Sequence, residues 1–341
     1  MNDETNTVIL TKGLTKEYKR FEKDAGLAGS IKSLFYRKFI TKTAVDSFDL
    51  EIREGEFVGL IGPNGAGKTT LVKMLSGIIA PSSGSVSVLG YYPNKLENAL
   101  KKQYALVMGQ KSQLFFELTA ADTFLLFKEL YAIPDETYGR NIAFFTGLFD
   151  VAELLNVQVR TLSLGERMKM ELITALLHDP KVLFLDEPTI GLDAVAQRQI
   201  RGFLREVNRN KGTTIILTSH YMEDVRILCP RSIVVNKGKK LYDGPTADLF
   251  ASFQTHKKIS VQFDTETTFG IPIGANVLEQ SPYKAVFMLP KEQSGAALAR
   301  IMQDYSPEDI TVEEEDIGSV VERIYAVDGV SGLAGETGQD A

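Results

Sequence analysis

A glycine-rich segment at residues 62–70 has the composition and spacing of a phosphate-binding loop. Gly62 is followed by four residues and then by Gly67, Lys68 and Thr69. Glycines let backbone N–H groups converge on phosphate oxygens without Cβ clashes. We expect Lys68 to reach the β- and γ-phosphates of a nucleotide and the Thr69 hydroxyl to hold Mg²⁺. The predicted phosphate-binding residues are Gly62, Pro63, Asn64, Gly65, Ala66, Gly67, Lys68, Thr69 and Thr70.

Two adjacent carboxylates follow a second apolar run. Residues 182–185 read Val-Leu-Phe-Leu, and Asp186 and Glu187 come directly after them. Open α/β sheets bind their ligands at the carboxyl ends of such strands. We expect Asp186 to orient Mg²⁺ through water, and Glu187 to polarise the water that attacks the γ-phosphate, as a general base or as an aligning acceptor.

A third segment, Leu-Ser-Leu-Gly-Glu at residues 162–166, precedes a predicted helix at 167–178. The Ser163 hydroxyl and the Gly165 amide at a helix N-terminus form an anion site. The same residues taken alone are equally typical of a helix N-cap. Their position about twenty residues before Asp186 favours the anion site.

The surrounding pattern alternates strands with helices and predicts an α/β domain over residues 5–250. Continuous apolar runs indicate parallel strands covered on both faces, and an alternating run indicates an outer antiparallel strand. Residues 111–162 are helical in texture, and Pro134 separates two apolar stripes that we interpret as core, Phe124, Phe127, Leu130 and Tyr131, then Ile142, Phe145, Leu148 and Phe149. The predicted strands are 8–10, 45–52, 57–61, 85–89, 182–185, 214–217 and 233–235.

Beyond residue 250 the pattern changes to short strands and two helices, which predicts a small α+β domain over 256–327 and a flexible tail over 328–341. Its predicted strands are 258–263, 277–280, 285–289 and 310–313, and its predicted helices are 293–304 and 317–326. This domain could regulate or strengthen pairing between subunits, and no metal or catalytic site is predicted in it.

Composition narrows the function classes. Apolar residues make up 44% and charged residues 24%, which is typical of a folded globular protein. The formal net charge of −6 argues against a protein that coats nucleic acid. The single cysteine, Cys229, excludes an internal disulfide. No signal peptide is visible and no apolar run approaches the ~20 residues that cross a bilayer, so we expect another chain to supply any membrane-spanning helices.

In their order and spacing these motifs resemble those of the ATPase subunit of an ABC transporter, over nearly all of residues 7–250. Residues 62–70 match the family's Walker A loop, residues 182–187 its Walker B strand with the catalytic glutamate, and residues 162–166 its signature. The resemblance implies a P-loop NTPase fold with a parallel sheet core, an antiparallel β layer and a helical subdomain. It also implies that the chain binds ATP and Mg²⁺ and hydrolyses ATP.

The resemblance assigns roles to four further residues. Asp193 lies where the D-loop belongs, and His220 matches the switch histidine that contacts the γ-phosphate. Gln110 matches the Q-loop glutamine that touches Mg²⁺ and the attacking water, and Tyr18 resembles the aromatic residue that stacks on adenine. Without this resemblance, the alternative interpretation of His220 and Gln110 is a structural role in loops, and the alternative for Tyr18 is that it covers the hydrophobic core. The implied catalytic residues are Lys68, Glu187 and His220, the implied metal-binding residues are Thr69, Gln110 and Asp186, and the implied nucleotide contacts include Ser163, Leu164, Gly165, Glu166 and Asp193.

The family mechanism implies a head-to-tail pair of ATPase subunits, either two copies of this chain or one copy with a homologous ATPase. Each ATP then lies between Lys68 of one subunit and Ser163 and Gly165 of the other. The pair drives transmembrane permease subunits, which places the protein at the cytoplasmic face of the cell membrane as a peripheral subunit, with no nucleic-acid partner.

The sequence departs from the family pattern in two places. The signature has Leu164 for its first glycine and Glu166 for its glutamine, which bears on rate and affinity. Residues 19–43 form a basic insertion whose apolar residues fall roughly on one helical face. Either this face lies at a membrane surface or against the permease, or it packs on the ATPase itself. Those apolar residues are Leu27, Ile31, Leu34, Phe35 and Phe39.

The insertion resembles ATPase subunits of teichoic acid and O-antigen exporters, and the body is similar to drug-exporter ATPases of the daunorubicin-resistance type. Both resemblances imply export, with transmembrane halves on separate chains. Two alternatives stay open: a mechanotransmission ABC ATPase, and an ABC ATPase outside transport, such as a translation or DNA-repair factor. The transported substrate leaves no trace in the sequence.

Overall fold

The computed structural model of the protein describes residues 6–22, 38–109, 111–219 and 221–315. The chain divides into two compact units, Met1–Gly244 and Pro245–Ala341. The sequence pattern predicts this division some residues later, between 250 and 256. In the described ranges we find no helix with both the length and the apolar character needed to span a membrane.

The first unit is built from strands and helices in alternation. Its strands are β1 (Thr7–Glu22), β2 (Lys38–Arg53), β3 (Phe57–Ile61), β4 (Ser83–Val88), β5 (Tyr104–Met108), β6 (Val182–Asp186), β7 (Thr214–Thr218), β8 (Arg231–Asn236) and β9 (Lys239–Pro245). Its helices are α1 (Lys68–Leu75), α2 (Asn98–Lys101), α3 (Ala120–Tyr131), α4 (Asp135–Phe149), α5 (Leu164–Leu176), α6 (Ala194–Lys211) and α7 (Met222–Leu228). Short 3₁₀ turns cover Pro93–Lys95, Ala152–Leu154 and Val159–Thr161.

The central sheet has the strand order β5-β6-β7-β3-β8-β9. Strands β5, β6, β7, β3 and β8 pair in parallel. Every residue of β3, β6 and β7 is buried, as expected for parallel strands covered on both faces. The register sets Asp186 opposite both Met108 and Thr218, so the carboxyl ends of three neighbouring strands meet beside the loop that follows β3.

A second, antiparallel sheet has the order β2-β1-β4. Its inner face shares one hydrophobic core with α1 and the central sheet, in which Leu14, Phe48, Leu71 and Phe184 are fully or almost fully buried. Burial of such side chains contributes about 1.5–3 kcal/mol each. This core fixes the start of α1 between the two sheets.

Both ends of the insertion predicted at 19–43 are β-strand, since β1 extends to Glu22 and β2 begins at Lys38. The β1–β2 ladder continues through Lys19 opposite Thr41 and Phe21 opposite Phe39. The placement of Phe39 on a helical face was therefore wrong. The run Phe-Ile-Thr-Lys-Thr at 39–43 is rich in aromatic and β-branched residues, which pack well on a pleated surface. The other predicted members of that face lie in 23–37, outside the described residues.

Helices α3 and α4 form the helical part of this unit. Thr119 and Asp122 cap α3 reciprocally, and Phe124 is buried, as is Phe145 on α4. The interpretation of both stripes as core was only partly right, because Leu130 is 69% exposed and Leu148 is 38% exposed.

The second unit has an antiparallel sheet with α9 (Lys291–Tyr305) packed on it. The helix α8 (Thr246–Phe253) precedes it, and the sheet order is β11-β12-β10-β13. The core includes Ile259, Phe269 and Phe287. The predicted helix 317–326 and the tail lie outside the described residues. The strands are β10 (His256–Gln262), β11 (Asn276–Gln280), β12 (Lys284–Pro290) and β13 (Asp309–Glu314).

Candidate nucleotide-binding site

The glycine-rich loop connects β3 to the N-terminus of α1. Gly67 caps this helix with φ 113°, a left-handed conformation that favours glycine. A Cβ atom on Gly67 would lie 2.3 Å from the Ala44 carbonyl oxygen. The first backbone N–H groups of a helix have no partner within the helix and carry its partial positive charge, so this loop is suited to an anion.

Lys68, the first residue of α1, is only 5% exposed. Its ammonium group donates to the Gly62 carbonyl at 2.5 Å and to the Pro63 carbonyl at 3.1 Å, which holds the side chain over the loop. Burial lowers the pKa of Lys68, while Glu187 and Asp186 act in the opposite direction. A lysine side chain beside the N-terminus of a helix is suited to binding a phosphate chain.

Asp186 receives two hydroxyl groups from different elements. The Thr69 hydroxyl donates to Asp186 Oδ1 at 3.1 Å, and the Thr218 hydroxyl donates to the same atom at 2.7 Å. The carboxylate and the Thr69 hydroxyl therefore meet next to the loop, and both are oxygen donors of the kind that Mg²⁺ prefers.

Glu187 has a left-handed backbone conformation with φ 55°. Its N–H lies 3.0 Å from the Thr218 carbonyl and 3.2 Å from the Thr218 hydroxyl, both of which accept from it. Non-glycine residues in this region store about 1–3 kcal/mol of strain, and such residues cluster at functional sites. Glu187 and the loop line one pocket of about 280 Å³, together with Tyr18, Lys42 and Ala44.

Tyr18 lines this pocket from β1 and is 42% exposed, and its stacking on adenine stays a prediction. The Lys16 ammonium lies 5.4 Å from its ring centroid. Sequence reasoning missed Lys42, which it assigned to the basic insertion. The signal lies in the hairpin register, because Lys42 pairs directly with Tyr18.

Ser163 caps α5 in a reciprocal arrangement with Glu166. The Glu166 N–H donates to Ser163 Oγ at 3.3 Å, and Glu166 Oε2 accepts from the Ser163 N–H and hydroxyl, both at 2.8 Å. These hydrogen bonds lower the pKa of Glu166. Residues 163–166 form an anion-compatible helix start, yet they do not line the pocket that holds Lys68.

A buried carboxylate further along α5 holds the chain that follows Gln110. Glu171 is 3% exposed and accepts from the Gln113 N–H at 2.8 Å, from the Leu114 N–H at 3.3 Å, and from the Ser112 hydroxyl. Burial raises the pKa of Glu171, and these hydrogen bonds oppose that change. Residues 112–114 are thereby fixed to α5.

Two predicted site residues, Gln110 and His220, lie outside the described residues. The Gly109 N–H, next to Gln110, donates to the Asp186 carbonyl at 2.9 Å, which places the start of that loop beside the Walker B strand. Asp193 caps α6, where its Oδ1 accepts from the Ala196 N–H at 2.8 Å, and it does not line the pocket.

Comparison with known proteins identifies relatives. The family described as "ABC transporter" matches residues 45–190. The chain is 33% identical over 209 residues to the ABC transporter ATP-binding protein NatA of Bacillus subtilis (strain 168), a match that covers 61% of this chain and 85% of NatA. It is 37% identical over 209 residues to the Nod factor export ATP-binding protein I of Neorhizobium galegae, covering 61% of this chain and 59% of that protein.

Among solved structures, the chain is similar to the dimeric structure of a post-hydrolysis state of the ATP-binding cassette MJ0796 bound to ADP and Pi. The TM-score is 0.57 at 24% identity, and the alignment covers 70% of this chain and 98% of that one. The predicted family, fold class and enzyme class are confirmed. The chain belongs to the ABC transporter ATP-binding proteins, and it is an ATP-hydrolysing subunit with the ABC ATPase fold.

Proposed function

We propose that this subunit powers an exporter, and that it pairs head to tail with a second ATPase subunit around two ATP molecules. The partner is a second copy or a homologous ATPase, and ATP-driven closure moves a permease carried on separate chains. The observation that carries the proposal is the separation of the two segments that the sequence predicts to bind phosphate. The pocket of Lys68 and Glu187 holds one of them, and residues 163–166 at the start of α5 lie outside it.

Each segment supplies part of a reaction centre. Lys68 and the N-terminus of α1 bind the β- and γ-phosphates, and Tyr18 stacks on adenine. Thr69 and Asp186 would hold Mg²⁺, which would supply positive charge against the phosphates. The missing contacts to the γ-phosphate come from Ser163 of the partner subunit and its Gly165 N–H. Pairing is therefore a condition for full activity.

The hydrolytic step is assigned to Glu187. Its carboxylate accepts a hydrogen bond from the attacking water, whose oxygen forms a bond to the γ-phosphorus as the bond to the bridging oxygen of ADP breaks. The left-handed backbone of Glu187, held by Thr218, fixes the point from which this side chain enters the site. His220 and Gln110 stay predicted contacts to the γ-phosphate and to Mg²⁺.

An exposed apolar surface supports a permease partner. Phe115 and Phe116 are 48% and 45% exposed, and Leu126 and Leu130 on α3 are 46% and 69% exposed. Leu126 and Leu130 are four residues apart and so share one face of α3, and an exposed apolar face is suited to contact with another protein. We take the direction of transport from the relative named for Nod factor export, and the substrate class is left open.

The first experiment replaces Glu187 by Gln in the full chain. We expect ATP binding to persist, hydrolysis to fall on the order of 10²-fold or more, and ATP-dependent dimers to accumulate in analytical ultracentrifugation. The matched control is Glu206→Gln on α6, whose carboxylate accepts from Asn210 outside the nucleotide pocket, and it should change neither quantity. Hydrolysis by Glu187→Gln at the parental rate would remove the assignment.

A second experiment tests the exporter. We expect the parental chain to purify from membranes with a polytopic protein. We also expect it to drive ATP-dependent uptake of candidate substrates into inverted vesicles. Leu126→Glu should abolish both, whereas Ile273→Glu, which alters a 96% exposed residue of the second unit, should leave both intact. Co-purification with ribosomes or with DNA in place of a membrane protein would refute the transport proposal.

A further inference from the structure

A fully buried carboxylate lies behind the hydrolytic site without touching the nucleotide pocket. Asp224, on α7, is 0% exposed, and its ion-pair partner Arg201, on α6, is 8% exposed. Arg201 Nη1 donates to Asp224 Oδ1 at 2.8 Å. Burial of a charge pair is costly unless every lone pair is used, so the other oxygen of Asp224 requires donors of its own.

Those donors come from the two segments that carry the predicted hydrolytic residues. The Thr189 hydroxyl donates to Asp224 Oδ2 at 2.5 Å, and the Ser219 hydroxyl donates to the same atom at 3.0 Å. Thr189 is two residues after Glu187, and Ser219 directly precedes His220. One carboxylate oxygen thus joins the chain after β6 to the chain after β7.

The contacts around Glu187 indicate what this junction stabilises. Its left-handed backbone must be held in place by neighbouring groups. Thr218 accepts a hydrogen bond from the Glu187 N–H. Gly109 packs closely against the Glu187 carbonyl oxygen, since a Cβ atom on Gly109 would lie 2.1 Å from it. The bond from Thr189 to Asp224 fixes the outgoing chain.

We propose that Asp224 is a positioning residue for ATP hydrolysis. Through Thr189 and Ser219 its carboxylate sets the segments that carry Glu187 and His220 in one arrangement. Arg201 ties that arrangement to α6, the helix that Asp193 caps. The inference rests on the proposed function, since it assigns Asp224 a role in the reaction attributed to Glu187.

The test uses pairs of variants that remove one hydroxyl group each. Thr189→Val is nearly isosteric and lacks the donor, whereas Thr189→Ser keeps it. We expect Thr189→Val and Ser219→Ala to lower kcat about tenfold or more, and Asp224→Asn on the order of 10²-fold, the loss that a displacement of about 1 Å produces. KM for ATP should stay within about twofold, because the phosphate-binding loop is untouched. Thr189→Ser should keep the parental kcat.

Asp243→Asn is the control for a loss of folding stability that leaves the hydrolytic segments unchanged. Asp243 pairs with Arg231 at 2.7 Å in the same unit and touches neither hydrolytic segment. This variant should lower the melting temperature and leave kcat unchanged. Parental kcat in both Thr189→Val and Ser219→Ala, or equal losses in Thr189→Val and Thr189→Ser, would overturn the role of Asp224. Hydrolysis by the parental chain that does not depend on Glu187 would overturn the proposed function together with this role.

Discussion

His178 should make the stability of the first unit depend on pH in a way that one substitution removes. The residue follows α5, and its ring stacks on Tyr131 of α3 with centroids 4.1 Å apart. His178 Nε2 lies 3.2 Å from the Tyr104 carbonyl oxygen of β5, and Nδ1 is buried with no hydrogen-bond partner in the described ranges. His178 therefore fastens the helical part of the unit to the central sheet.

Burial lowers the pKa of His178 from its usual 6.5 to about 4, although Tyr104 and Asp179 act in the opposite direction. In the unfolded chain the imidazole takes up its proton near pH 6.5, and in the folded protein only near pH 4. Stability is therefore retained above pH 6.5 and lost as the pH falls towards 4. The loss is about 2 kcal/mol between pH 7 and pH 5, and about 3 kcal/mol in full.

The assay is urea unfolding followed by circular dichroism at pH 7 and pH 5, for the parental chain and for His178→Phe. Because carboxylates also titrate in this range, the informative quantity is the difference between the two proteins. The transition of the first unit is identified by its shift on addition of ATP. Phenylalanine preserves the stacking on Tyr131, so we expect similar stability at pH 7 and a gain of about 2 kcal/mol over the parent at pH 5. Equal pH dependence in both proteins would refute the reasoning.

Three further substitutions test the nucleotide site. Gly67→Ala forces a Cβ towards the Ala44 carbonyl, so it should abolish ATP binding, measured by fluorescent-nucleotide titration, and retention of affinity would contradict the close approach. Tyr18→Ala should raise KM for ATP about tenfold with little change in kcat, from the loss of one base-stacking contact, and an unchanged KM would remove Tyr18 from the site. Glu166→Gln removes a negative charge and keeps an acceptor for Ser163. In a Glu187→Gln background, the concentration of ATP that half-saturates dimerisation should therefore fall about fivefold, and it should fall further at low salt. A value that does not respond to salt would contradict the electrostatic origin.

The phosphate-binding loop and the Asp186–Glu187 pair could be predicted because their signal is local. A short apolar strand, fixed glycine spacing and a helix determine the loop geometry within about twenty residues. In the structure Lys68, Thr69, Asp186 and Glu187 lie together at the carboxyl edge of the sheet, and their roles in binding and hydrolysis stay predictions.

Residues brought together by pairing of distant strands escaped prediction. Lys42 reaches the pocket through its register with Tyr18, and Thr218 and Asp224 meet their partners only after β6 and β7 lie side by side. Phe39 was misplaced because a short apolar run does not distinguish a strand from a helix. Periodicity also shows which residues share a helix face without showing what covers it, and Leu130 is accordingly exposed.

The anchoring of residues 112–114 by Glu171 has a mechanical consequence. One buried carboxylate, Glu171, joins the chain just after Gln110 to α5, the helix that Ser163 caps, so these two segments move together. In the proposed head-to-tail pair, a force on Ser163 from nucleotide bound to the opposite subunit would reach Phe115 and Phe116 through α5 and the Glu171 hydrogen bonds.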